Sequence, residues 1–172
     1  MQKVSSHKDK WRNVLVFLTA LAIVGADLLS KIWINASLDI GQSLPEAGFF
    51  RLTHVQNTGA AFGLFRGQSF LLSIVAGLGI VLFLAYVFYI HRYFPYFESM
   101  LGGVALGLVL GGTVGNLIDR LRFGYVTDFI GIGIWPSFNI ADSAVVVGVI
   151  LLAYSLLALT RDGKYQEDNN VG

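Results

Sequence analysis

The sequence predicts an α-helical membrane protein, four transmembrane helices with a small extracytoplasmic β-sheet. Of its 172 residues 55% are hydrophobic and only 13% charged, with twenty glycines besides, an apolar content beyond that of a soluble domain. Four stretches have the apolar length, roughly 17 to 25 residues, that a hydrocarbon core demands of a helix. Two segments between those stretches alternate apolar and polar side chains, the pattern of half-buried strands.

The first span is placed at about 14–34, behind a basic tail, 1–13, with Lys3, Lys8, Lys10 and Arg12. Its apolar run is clean to Ala26 and is then broken by Asp27 and Lys31. A cleaved secretory leader ending at Val24-Gly25-Ala26 is the competing reading. Against it, Leu28, Leu29, Ile32, Trp33 and Ile34 resume the apolar character, which suits a full span ending in an interfacial tryptophan. The outer segment 35–66 is too long for a turn and contains Phe49 to Val55, the first alternating stretch. Spans at 67–90 and 99–118 carry no Asp, Glu, Lys or Arg at all. In the third span Gly103, Gly107, Gly111 and Gly115 recur every fourth residue, one helix face along which another backbone can approach closely. A second outer segment, 119–141, contains the alternating Tyr125 to Ile130, and a fourth span is placed at 142–160, followed by a polar tail, 161–172, expected to be mobile. The whole reads as a single integral membrane domain. Seven of the twelve basic residues fall on the side of the two tails and the loop with Arg92, which places both termini in the cytoplasm.

Several function classes fall away. A formal charge of +1 gives no electrostatic reason for a nucleic-acid partner. The absence of cysteine removes disulfides, thiolate metal sites and a cysteine nucleophile. His7, His54 and His91 have no zinc-site spacing, and there is no glycine-rich loop leading into Lys-Ser/Thr. Ser30 and Lys31 are helix neighbours pointing about 100° apart, which does not suit a serine–lysine dyad.

Four acids, Asp27, Asp119, Asp128 and Asp142, gather near the outer boundary. Asp27 and Lys31, four apart, suit an intrahelical ion pair, and Asp119 is followed by Arg120 and Arg122, which suit another. Asp128 has no basic neighbour. Asp142 opens the fourth span, where a carboxylate is commonly a helix cap. The alternative for these two is a pair of carboxylates sharing one proton, an arrangement that activates water and protonates an amide nitrogen without metal or cofactor. A proton or ion carrier and a non-enzymatic helix-binding bundle are the rival classes. The carrier leaves the middles of the second and fourth spans without the charges a relay needs, and the bundle leaves Asp128 and Asp142 unexplained.

Five blocks in order then resemble lipoprotein signal peptidase, the signal peptidase II family of bacterial inner-membrane aspartic peptidases. They are Asp27-Leu28-Leu29-Ser30-Lys31, Asn57-Thr58-Gly59-Ala60-Ala61-Phe62, Gly115-Asn116-Leu117-Ile118-Asp119-Arg120, Val126-Thr127-Asp128-Phe129 and Phe138-Asn139-Ile140-Ala141-Asp142. The resemblance implies four helices with an outward sheet, and cleavage of prolipoproteins before a diacylglyceryl-modified cysteine. It implies Asp128 and Asp142 as the catalytic pair, with Asp27, Lys31, Asn57, Asn116, Asp119, Arg120, Asn139 and Ala141 in support. A substrate with two acyl chains can stay in the bilayer, and a groove between spans would let it enter sideways; no cofactor, metal or nucleic acid is expected. One departure is visible: the segment Phe129 to Ser137 is shorter than the family leads one to expect and lacks a second acid after Asp128.

Overall fold

A central helix organises the molecule. In the computed structural model, which describes residues 7–60, 64–89 and 99–170, the order is α1 (His7–Ser37), β1 (Ser43–Leu44), β2 (Phe50–Asn57), α2 (Ser69–Phe88), α3 (Met100–Phe123), β3 (Val126–Ile132) and α4 (Ile140–Asn170). All four helices contain a stretch long and apolar enough to cross a membrane. Ala61 and Phe62 of the second sequence block, His91 and Arg92, and the chain ends 1–6 and 171–172 lie outside the described residues.

Helix α3 starts where Ser99 accepts a hydrogen bond from Gly102 N at 2.9 Å and stops where Gly124 takes φ +78°, its N–H donating to Arg120 O. Both are strong local signals. The helix thus runs five residues beyond the expected end of the third span, keeping Asp119, Arg120 and Arg122 helical. Charge does not end a helix when protein partners satisfy it; the left-handed glycine does. Helix α4 likewise continues through the segment expected as a mobile tail, because no proline follows Pro136 and Lys164, Gln166 and Glu167 are good helix formers.

The glycine face of α3 receives α1. A methyl group built on Gly111 would lie 2.7 Å from Ala20 O, and one on Gly107 would lie 2.6 Å from Val16 O, closer than real side chains approach. Val16 and Ala20 meet Leu106 and Leu110 across this contact, with Ile80, Phe83 and Tyr86 of α2 closing around them. Gly112 and Gly148 bring α4 equally close on another face of α3. The stripe is therefore filled by α1 and offers lipid no path. The open side lies elsewhere, between α2 and α4.

The sheet has the order β1-β2-β3, antiparallel throughout. Both expected alternating stretches form it, shifted by one or two residues, and the two-residue β1 had no signal of its own. A bulge separates the pairs Leu52↔Ile130 and Val55↔Asp128. One extra residue on β2 restores the alternation there, so Phe50, Leu52, Val55 and Asn57 share a face with Ile132, Ile130, Asp128 and Val126. A second small core, Ile34 and Leu38 of α1 with Phe129, Ile130 and Ile140, fixes the sheet on the helix ends.

Candidate active site

All four acids singled out by position meet at this end of the bundle, in two arrangements. Lys31, buried, lies 2.7 Å from Asp27 Oδ2 and 3.1 Å from Asp119 Oδ2. The helical i,i+4 pair is present as its spacing suggests. The expected pairing of Asp119 with Arg120 or Arg122 is not formed: Asp119 faces inward to Lys31 and accepts from Thr127 N at 3.0 Å. Arg120 instead donates through Nη2 to Gly59 O at 3.0 Å, and the Arg122 guanidinium lies over the Phe123 ring. Successive helical residues point about 100° apart, so a neighbour in sequence is not a neighbour in space. Asp27 uses its other oxygen to accept from Ala141 N at 2.9 Å, which ties α1 to the first turn of α4. Gly115 leaves room for that carboxylate, since a methyl there would lie 2.7 Å from Asp27 Oδ2.

The second arrangement is built from asparagines. Asn139 caps α4: its Oδ1 accepts from Asp142 N at 2.9 Å while Asp142 Oδ2 accepts from Asn139 N at 3.2 Å, a reciprocal capping box. Asp142 is thus the third helical residue of the box and Asn139 the cap. The Asn-x-x-Asp spacing was the signal for it. The same Asn139 amide donates to Asp128 Oδ1 at 2.8 Å, so one buried residue meets the Asp128 carboxyl through its side chain and the Asp142 carboxyl through its backbone N–H. Asn116 donates to Asp142 Oδ1 at 2.7 Å. Its own oxygen accepts from Lys31 Nζ at 3.0 Å and from Asn139 Nδ2 at 3.1 Å, which orients the amide with its donors toward Asp142. Asn57 donates to Asp128 Oδ2 at 2.9 Å, its oxygen held by Gly59 N.

Asp128 therefore has two amide donors and, among the described residues, no lysine or arginine within ion-pair distance. Burial pushes its pKa up from the ordinary 3.8 to about 7, and the charge of Asp142 adds to this; the Asn57 and Asn139 hydrogen bonds and the more distant Lys31 oppose it. Both acids line a cleft of about 1330 Å³. Its polar end holds Asn57, Asn116 and Arg120, and its apolar walls are Ala76 of α2, Val145 to Val147 of α4, and Val55, Ile132 and Trp135 beside the sheet. The sequence did not point to Val55, Ile132 and Trp135: they reach the cleft through strand register. Gly59 and Thr127 act through backbone atoms and leave no side-chain signal.

Comparison with known proteins places this fold and site in a family. The family described as Signal peptidase (SPase) II matches residues 19–158. A lipoprotein signal peptidase of Dehalococcoides mccartyi strain 195 is 44% identical over 158 residues, 92% of this chain and 98% of its own. One from strain CBDB1 is 50% identical over 145 residues, 83% of this chain and 90% of its own. A bacterial membrane enzyme solved by the in meso method at 2.3 Å superposes with a TM-score of 0.74 at 32% identity, covering 86% of this chain and 90% of that one. Match, coverage and shared fold lead to one conclusion: the chain is a multi-pass membrane peptidase that belongs to the signal peptidase II family.

Proposed function

We propose that this chain removes the signal peptide of prolipoproteins by cleaving before a diacylglyceryl-modified cysteine, with Asp128 and Asp142 as its catalytic pair. The observation that carries the reading is the coupling of these acids through Asn139 in a cleft whose other walls are membrane-spanning helices. A substrate held by two acyl chains presents its scissile bond at this depth, and the gap between α2 and α4 admits it from the bilayer. The relatives' designation as lipoprotein signal peptidases supports the same substrate class.

The environments divide the labour. Asp128, with its pKa near 7, carries the shared proton at neutral pH. Asp142 accepts from Asn116 Nδ2 and Asn139 N, which fix its carboxyl at the cleft. Asp142 takes a proton from water as the water oxygen bonds to the scissile carbonyl carbon, and Asp128 gives its proton to the carbonyl oxygen. Collapse of the resulting diol passes the Asp142 proton to the amide nitrogen, breaks the C–N bond and returns a hydroxyl proton to Asp128. Asn57, Asn116 and Asn139 hold the carboxylates. Asp27, Lys31, Asp119 and Ala141 lock the helix ends beneath them, and Arg120 pins the Gly59 turn. The scheme calls for neither metal nor cofactor, and the +1 charge speaks against a nucleic-acid partner. The acids sit at one end, and α2 has no charged residue from Ser69 to Phe88, so a transmembrane relay has no support.

The basic asymmetry supports insertion in the bacterial inner membrane with both termini cytoplasmic and the site near the outer face. Cysteine labels at Gly41 and Gly172 should report opposite sides; the same side for both overturns this orientation. The chemistry is tested with purified enzyme and a prolipoprotein, with and without its diacylglyceryl group, mass spectrometry locating the cut. Cleavage should occur only on the lipidated form, immediately before the cysteine, and should be indifferent to EDTA. Loss of activity in EDTA, or equal cleavage of the unlipidated form, sinks the reading.

A further inference from the structure

The segment after Asp128 forms an apolar tip on the sheet. Trp135 N donates to Ile132 O at 2.9 Å, closing a turn with Gly133 at φ +53°. Turn apices are ordinarily Gly, Asn, Asp or Ser, residues that water solvates. Here the apex is Ile134, fully exposed, and Trp135 beside it is 61% exposed. Gly133 N donates to Phe49 O at 2.6 Å, bringing in Phe49 and Phe50, 65% and 66% exposed. No charged residue occurs from Phe129 to Ala141, and the first cation behind the tip is Arg51, whose Nη2 donates to Gly133 O at 3.3 Å.

Four large apolar side chains at one apex are each more than half exposed. In water they would form an exposed patch that a folded protein ordinarily covers. The covering surface is indicated by continuity. Trp135 and Ile132 line the same cleft as Val145 and Val146 of α4 and Ala76 of α2, which lie within the spans. The sheet therefore leans over the lipid-facing opening and does not stand away from it. Tryptophan and phenylalanine at an uncharged apex match the headgroup–acyl boundary.

We infer that the tip formed by Phe49, Phe50, Ile134 and Trp135 inserts into the lipid leaflet on the sheet side of the membrane, anchoring the sheet over the mouth of the cleft. The assignment is independent of the catalytic reading. The chain has no cysteine, so Ile134→Cys and Phe50→Cys each accept a single nitroxide at a position the fold leaves exposed. The labelled full chain is placed in phosphatidylethanolamine–phosphatidylglycerol vesicles containing no other protein. Leu78→Cys on the exposed face of α2 is the lipid reference, and the free label in buffer is the aqueous one. Power saturation should show both tip labels relaxed by oxygen in preference to a nickel chelate, as at Leu78. Nickel access at either tip site equal to that of the free label, which places it in water, or low access to both oxygen and nickel, which places it within protein, overturns the inference.

Discussion

Two pairs of aspartates sit at the same end of this bundle and are treated in opposite ways. Asp27 and Asp119 share Lys31, sealed between α1 and α3, with backbone N–H groups of Ala141 and Thr127 on their remaining contacts. Asp128 and Asp142 receive only amide donors and face a cleft. A cation bridging two buried carboxylates acts as a rivet between helices; carboxyls held by amides at a cleft are left open to a substrate. Lys31 joins the two pairs by holding Asn116 Oδ1, so the rivet also aims the amide that donates to Asp142.

The largest test is on the open pair. Asp128→Asn and Asp142→Asn should each lower hydrolysis of lipidated prolipoprotein by several orders of magnitude while substrate binding persists, and the double variant should be scarcely worse than either single one. Near wild-type turnover by either purified variant would remove these acids from the chemistry.

On the sealed pair the effect should be on folding. Lys31→Met leaves two buried acids without their cation and should cost about 3–5 kcal/mol, read as a lower thermal unfolding midpoint in detergent. Asp119→Asn, which keeps an acceptor for Thr127 N, should cost less. If Lys31→Met unfolds at the wild-type temperature yet loses activity, the rivet is catalytic and the contrast fails.

Packing beneath both pairs comes next. Gly111→Leu should drive α1 from α3 and lower folded yield. Gly77→Leu on α2, where nothing lies within 4 Å of an added methyl, should be mild. Equal midpoints for the two variants would contradict a close-packed glycine face.

The smallest expected effect is on pH dependence. Turnover requires a proton on Asp128, so activity should fall as pH rises through about 7. Asn57→Ala removes a hydrogen bond that favours the ionised form, so the alkaline limb should move to higher pH; movement to lower pH refutes the role given to Asn57. The stability sign is the same. A carboxyl raised above its unfolded value loses stability between pH 3.8 and about 7, and Asp128→Asn should flatten that slope in thermal unfolding.

The spans were legible because a bilayer asks for a fixed length of apolar residues, and Gly103 to Gly115 announced a close contact because i,i+4 periodicity is local. The Asp27–Lys31 pair was legible for the same reason. What lay beyond reach depended on residues distant in sequence. Asp119 meets Lys31 of another helix and not its neighbours Arg120 and Arg122. The partner of the glycine face, α1, follows from how the helices assemble. The bulge between Leu52 and Val55 puts Asn57 and Asp128 on one face with the apolar ladder that leads to the tip. Composition and spacing act along the chain, so they assign membrane, helices and candidate acids. Which acid meets a cation and which is left to amides at the cleft depends on the groups that packing brings within 3 Å, and that arrangement exists only once α1, α3, α4 and the sheet have met.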